Sequence, residues 1–220
     1  MPNEWLRRRK KDHFHRLAKE RGYRSRAAFK LQQMMKQYHF IQRGDLVLDL
    51  GAAPGGWLQA ARQILGPQGF VLGVDKEQIK PFPYRNVGTI VADILQEDAT
   101  VALIQLETYR KIDVVLSDLA PNVSGVWEVD HARQIDLARH ALSIARKVMR
   151  PSGNVLVKVF QGSDLQEFRK EMRAEFQALR IVKPPASRSE SAELYFLGLG
   201  YIKPQEPSQL TQPPDAEHLF

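Results

Sequence analysis

No cysteine occurs among the 220 residues, which excludes disulfides, thiolate metal sites and cysteine nucleophiles. Long apolar runs are missing as well. None could cross a bilayer and the start shows no signal-peptide pattern, so a soluble cytoplasmic protein is expected. The G-x-G-x-x-G spacing of a dinucleotide pyrophosphate site is also absent, which disfavours a nicotinamide-dependent oxidoreductase. His131 and His140 stand nine residues apart in one helical pattern, with no third ligand at a recognisable metal spacing. They read as helix-surface or packing residues, and no metal is expected.

Acidic residues are scarce at the start of the chain. Over residues 1–43 thirteen Lys or Arg face only Glu4, Asp12 and Glu20, a net +10 that leaves −3 on the other 177 residues. A charge distribution this lopsided suits a polyanionic partner, and Trp5, Phe14, Tyr23 and Phe29 are interleaved as stacking groups. A solvated basic helix with no partner is the blander alternative, but the sign asymmetry favours nucleic acid.

The most informative stretch present is Leu46-Val47-Leu48-Asp49-Leu50-Gly51-Ala52-Ala53-Pro54-Gly55-Gly56-Trp57, an apolar strand running into a glycine-rich turn and then a helix. Buried parallel strands read as continuous apolar runs, and glycines at the strand's end admit a ligand close to the backbone. Without the pyrophosphate spacing, a nucleoside cofactor lacking phosphates, such as S-adenosylmethionine, fits better.

Further strands are expected at 70–74, 87–91, 112–117, 154–160, 179–183 and 194–199, with helical patterns at 56–65, 98–109, 130–149 and 163–176. Pro151-Ser152-Gly153 reads as the stop of the third helix. The alternation implies an α/β fold, a mostly parallel sheet with helices on both faces, whose last two strands pair antiparallel. The expected organisation is a basic RNA-binding extension over 1–43, one core domain over 44–202, and a disordered Pro- and Gln-rich tail over 203–220.

Ligands of such sheets bind beyond the carboxyl ends of the strands. Asp75 is placed there to accept hydrogen bonds from ribose hydroxyls, with helix capping as its alternative. Asp93 is placed to meet an adenine amino group, and capping is nearly as good an account. Asp118, in Ser117-Asp118-Leu119-Ala120-Pro121-Asn122, faces the cofactor's reactive end. Lys158 sits inside Val155-Leu156-Val157-Lys158-Val159-Phe160, where a charge is costly unless it is paired or opens onto a cleft; snorkelling is the other outcome. By pattern alone Lys30 reads as one more surface charge and Glu193 as a solvated residue flanking a strand.

Four segments occur together and in order: Gly22-Tyr-Arg-Ser-Arg-Ala-Ala-Phe-Lys-Leu31, the Gly51–Trp57 loop, Ser117-Asp-Leu-Ala-Pro-Asn-Val-Ser-Gly125 and Val157-Lys-Val-Phe160. Over about residues 10–202 the chain closely resembles the FtsJ family of ribose 2′-O-methyltransferases of large-subunit ribosomal RNA. The resemblance implies a Rossmann-like methyltransferase fold with a seven-stranded sheet and an antiparallel last strand, S-adenosyl-L-methionine as methyl donor, and uridine as the target nucleoside. It also implies a catalytic tetrad of Lys30, Asp118, Lys158 and Glu193. Lys158 activates the hydroxyl, Asp118 orients Lys158, and Lys30 and Glu193 place the hydroxyl; the protonation state of Lys158 stays open. Gly51, Gly55, Gly56, Trp57, Asp75, Asp93 and Asp118 are its cofactor-site residues. RNA phosphates are assigned to Arg7, Arg8, Arg9, Lys10, Lys11, Arg24, Arg26 and Arg188. The expected partner is ribosomal RNA within the large subunit, and the expected state is a monomer. Two alternatives are a tRNA ribose methyltransferase of the same family, against which Asn122-Val-Ser-Gly125 speaks, and a non-catalytic RNA-binding Rossmann module.

Overall fold

The computed structural model describes residues 13–187 and 191–202. Helix α1 (13–20) and helix α2 (Ala27–Tyr38) precede β1 (Leu46–Leu50), α3 (Gly56–Leu65), β2 (Phe70–Asp75), β3 (Val87–Val91) and α4 (Glu97–Glu107). There follow β4 (Ile112–Ser117), α5 (Trp127–Val148), β5 (Met149–Phe160), α6 (Leu165–Glu175), β6 (Phe176–Val182) and β7 (Glu193–Tyr201).

The strands form one seven-stranded sheet in the order β3-β2-β1-β4-β5-β7-β6. Strands β1 to β5 pair parallel, whereas β7 runs antiparallel to both β5 and β6. The order reverses between β1 and β4, so their carboxyl ends splay apart and leave the crevice typical of open α/β sheets. Strand β1 is buried along its whole length because both faces are covered. On one face Leu31 and Met34 of α2 and Leu58 and Ala61 of α3 pack on Val47, Val71 and Val114. On the other, α4, α5 and α6 contribute Ile104, Ile135, Leu142 and Phe168 against Leu48, Leu72 and Val155.

Helix α2 buries its apolar side in the same cluster as β1 and α3. Two expectations are corrected. Strand β5 begins at Met149 rather than 154, directly after the third helix ends at Val148, so Pro151-Ser152-Gly153 do not close that helix. Those residues lie in a bulge of β5, where the register with β4 shifts from Ile112↔Met149 to Val114↔Asn154 and Ser152 adopts φ 61°. The bulge places Arg150 Nε 2.5 Å from Asp113 Oδ1, while Asp113 Oδ2 accepts from Leu46 N at 2.7 Å. Strand β6 begins at Phe176 rather than 179, because buried Phe176 pairs with Tyr201. The expected tail 203–220 lies outside the described residues.

Candidate active site

The loop after β1, the ends of β2 and β4 and the start of the segment after β3 enclose an open cleft of about 980 Å³. Gly51, Asp75, Asp93, Asp118 and Leu119 line it. No helix follows β2 among the described residues, so Asp75 is not a helix cap. Its two oxygens accept from Ala53 N and Glu77 N at 2.9 Å each, fixing the turns on either side, and the residue still borders the cleft. Asp93 similarly holds Leu95 N at 3.0 Å.

A Cβ at Gly51, whose φ is 77°, would stand 2.7 Å from Leu119 Cδ2, and one at Gly55, with φ 107°, would stand 2.7 Å from the Phe82 ring. These glycines let neighbouring protein segments close on the loop. Gly55, Gly56 and Trp57 are not among the cleft-lining residues. The Trp57 side chain is buried, donates from Nε1 to Ala27 O at 2.8 Å and packs beside Tyr195. Its indole ties α2 to α3.

Four residues distant in sequence converge at the ends of β4, β5 and β7. Lys158 is not a snorkelling lysine: it is buried, and Nζ donates to the Asp118 carbonyl at 2.6 Å and lies 3.2 Å from Asp118 Oδ1. Lys30 is not a surface charge either. α2 packs on the sheet and buries it, and Nζ pairs with Glu193 Oε2 at 3.0 Å, which also removes Glu193 from the solvated role its position suggested. The antiparallel register sets Lys158 opposite Tyr195 and Phe160 opposite Glu193, so all four side chains share one face.

Tyr195 is the residue that the sequence reading missed. Its hydroxyl donates to Asp118 Oδ1 at 2.7 Å and accepts from Lys30 Nζ at 3.2 Å. One hydrogen-bonded chain therefore runs Glu193–Lys30–Tyr195–Asp118–Lys158. Burial first, then the Asp118 and Glu193 carboxylates, push the Tyr195 phenol well above its ordinary range, so it remains a donor at neutral pH. A signal existed in the strand alternation, because Glu193 and Tyr195 are two apart and must share a face. From below, Asp49 adds a buried carboxyl with no hydrogen-bond partner. Burial, with the Asp118 and Asp75 charges behind it, raises its pKa strongly.

The residues present fit S-adenosylmethionine. Its sulfonium and ammonium are cations and its ribose carries two hydroxyls, and the cleft offers Asp75, Asp93 and Asp118 with orphaned Asp49 beneath them.

Arg24 holds a structural position: its guanidinium donates to Pro54 O, Lys80 O and Pro81 O at 3.3, 2.6 and 2.8 Å and lies 3.6 Å over the Phe82 ring. Those contacts occupy most of the donors that an RNA phosphate would need. Arg26 is half-buried at the head of α2. Arg7, Arg8, Arg9, Lys10, Lys11 and Arg188 lie outside the described residues. His131 is buried in packing, as expected, and its Nε2 accepts from Asp164 N at 3.1 Å.

Comparison with known proteins adds to this geometry. The pattern of the FtsJ-like methyltransferases matches residues 23–201. A ribosomal RNA large subunit methyltransferase E of Methanothrix thermoacetophila is 52% identical over 188 residues, 86% of this chain and 72% of that protein. The protein of the same name from Methanocaldococcus jannaschii is 45% identical over 199 residues, 90% of this chain and 81% of that protein. Among solved structures, a Plasmodium falciparum chain described as a ribosomal RNA methyltransferase superposes with TM-score 0.71 at 26% identity, covering 81% of this chain and 98% of its own. Aeropyrum pernix fibrillarin, solved with S-adenosyl-L-methionine bound, shares the fold at TM-score 0.55 and 19% identity, over 80% of this chain and 75% of its own.

Proposed function

Because the chain belongs to the FtsJ-like methyltransferase family, we propose that it methylates the 2′-hydroxyl of a ribose in large-subunit ribosomal RNA. The observation that carries the chemistry is the chain from Glu193 through Lys30 and Tyr195 to Asp118, which lines the cleft, and on to Lys158. S-adenosylmethionine supplies a methyl group bonded to a positively charged sulfur, so transfer requires only an aligned and activated oxygen. A ribose hydroxyl is a poor nucleophile until its proton is removed, and alignment converts the step into a unimolecular one. The free-amine form of Lys158 takes the O2′ proton on the Nζ lone pair as that oxygen forms its bond to the methyl carbon, and the electrons of the broken bond return to sulfur. Asp118 holds Lys158 through two contacts, and the Lys30–Glu193 pair with Tyr195 fixes Asp118 from the far side.

Asp75 and Asp93 are assigned to the cofactor, with Gly51 at the turn after β1. The basic segment 1–43, Arg7–Lys11 above all, is assigned to RNA phosphates, together with Arg188; Arg24 acts indirectly by bracing the loop at Pro54. Ribosomal RNA is favoured over tRNA by the names of the relatives and by the Asn122–Gly125 segment. A monomer acting in the cytoplasm suits this substrate, and no helix among the described residues is long and apolar enough to cross a membrane. Incubation with labelled cofactor and separate tRNA and ribosomal fractions tests the substrate: label in the ribosomal fraction is expected, and label confined to tRNA overturns it.

A further inference from the structure

From its stacking and its place beside the tetrad, we infer that Trp127 is a stacking platform for an unpaired nucleobase next to the methylated nucleotide. The inference rests on the RNA substrate proposed above and adds a residue that reads how the strand lies in the cleft. Trp127 opens α5 and is 45% exposed, yet its ring is fixed. It lies nearly parallel to Phe160 at 6.0 Å and 20°, and to His131 at 6.3 Å and 22°. Phe160 is two residues beyond Lys158 and is registered opposite Glu193, so the platform adjoins the proposed reacting groups.

The support is built from both sides. His131 is buried, and Gly162 closes over it so tightly that a Cβ there would lie 2.5 Å from Nδ1. The loop before Trp127 is clamped by Asp130, whose oxygens accept from Ser124 N, Ser124 Oγ and Gly125 N at 2.7, 2.8 and 3.1 Å. A half-exposed tryptophan held flat by an aromatic stack has lost its rotamer freedom before any ligand arrives, which favours binding a planar group. Single-stranded RNA presents such groups, and its recognition runs through bases stacked on aromatic side chains. Through Phe160 the ring stands at the same end of β5 as Lys158 and Glu193, and that continuity favours RNA over a protein contact.

The test uses the full-length protein with two readouts. On undermethylated large ribosomal subunits, Trp127→Ala should raise KM for the substrate about 5- to 150-fold, the range of one lost base stack, with kcat changed far less and S-adenosylmethionine affinity unchanged. Trp127→Phe should restore most of the loss. Separately, a single-stranded RNA oligonucleotide should quench a component of tryptophan emission that Trp127→Phe lacks. A KM within twofold of wild type in Trp127→Ala, or equal damage by Phe and Ala, overturns the inference. So does a raised KM on subunits without any RNA-dependent quenching, since Trp127 would then meet a subunit protein. A wild type that methylates no ribosomal RNA overturns the substrate proposal instead, and the quenching still decides the role of Trp127.

Discussion

The Tyr195 hydroxyl stands 2.7 Å from Asp118 Oδ1 and donates to it, while 3.2 Å away it accepts from Lys30. One phenol thus joins the two halves of the proposed catalytic group, Lys30 with Glu193 on one side and Asp118 with Lys158 on the other. Tyr195→Phe keeps the ring beside Trp57 and deletes only this link. A hydrogen bond to a charged group contributes about 1.5–3 kcal/mol, so kcat should fall roughly 10- to 100-fold. Cofactor affinity, read by calorimetry, should not move.

Lys158→Ala should reduce methyl transfer by at least about 100-fold, the smaller end of general-base contributions, with cofactor affinity nearly intact. Lys158→Arg should be no better, because a guanidinium cannot give up its proton to act as a base. Single-turnover transfer rates measure both. Turnover near wild type in either variant would remove Lys158 as the base.

Asp49 makes stability depend on pH. Its folded pKa is raised, by burial first and by Asp118 and Asp75 next, above the unfolded value of about 3.9. The fold therefore prefers the neutral carboxyl; that contribution is fully present below about pH 4 and is lost as pH rises through the folded pKa. Asp49→Asn should melt close to wild type near pH 4 and increasingly above it toward pH 8, as thermal unfolding across that range will show. A difference independent of pH would remove Asp49 from this account.

Neutralising Arg7 through Lys11 should weaken RNA binding and reduce its dependence on salt, with chemistry at saturating RNA unchanged. Binding measured across a salt series reads the slope directly. An unchanged slope would place the phosphate contacts elsewhere.

Most of the architecture was legible because parallel strands announce themselves as apolar runs: β1, β3 and β4 fall where the pattern put them. The start of β5 was placed at 154 rather than 149 because Pro151 and Gly153 mark a β-bulge as readily as a helix stop. Asp118 and Lys158 were visible as polar residues at apolar strand ends. Lys30 and Glu193 were not, since their burial comes from α2 docking on the sheet and from the β5–β7 register, both long-range events. The packing role of the Trp57 indole, which donates to Ala27 O on α2, comes from helix docking that no local pattern shows. Tyr195 resembled any core aromatic of a strand, and only the folded register brings its hydroxyl to Asp118.

The central claim is transfer to a ribose 2′-oxygen of large-subunit ribosomal RNA. Undermethylated large subunits, from a strain lacking the endogenous enzyme, would be incubated with the protein and methyl-labelled S-adenosylmethionine, and the purified RNA digested with alkali. A methylated 2′-oxygen cannot attack its phosphate, so the account predicts label in an alkali-resistant dinucleotide, absent with Lys158→Ala. Label released as a mononucleotide, or no label in the RNA despite measurable cofactor binding, would contradict it.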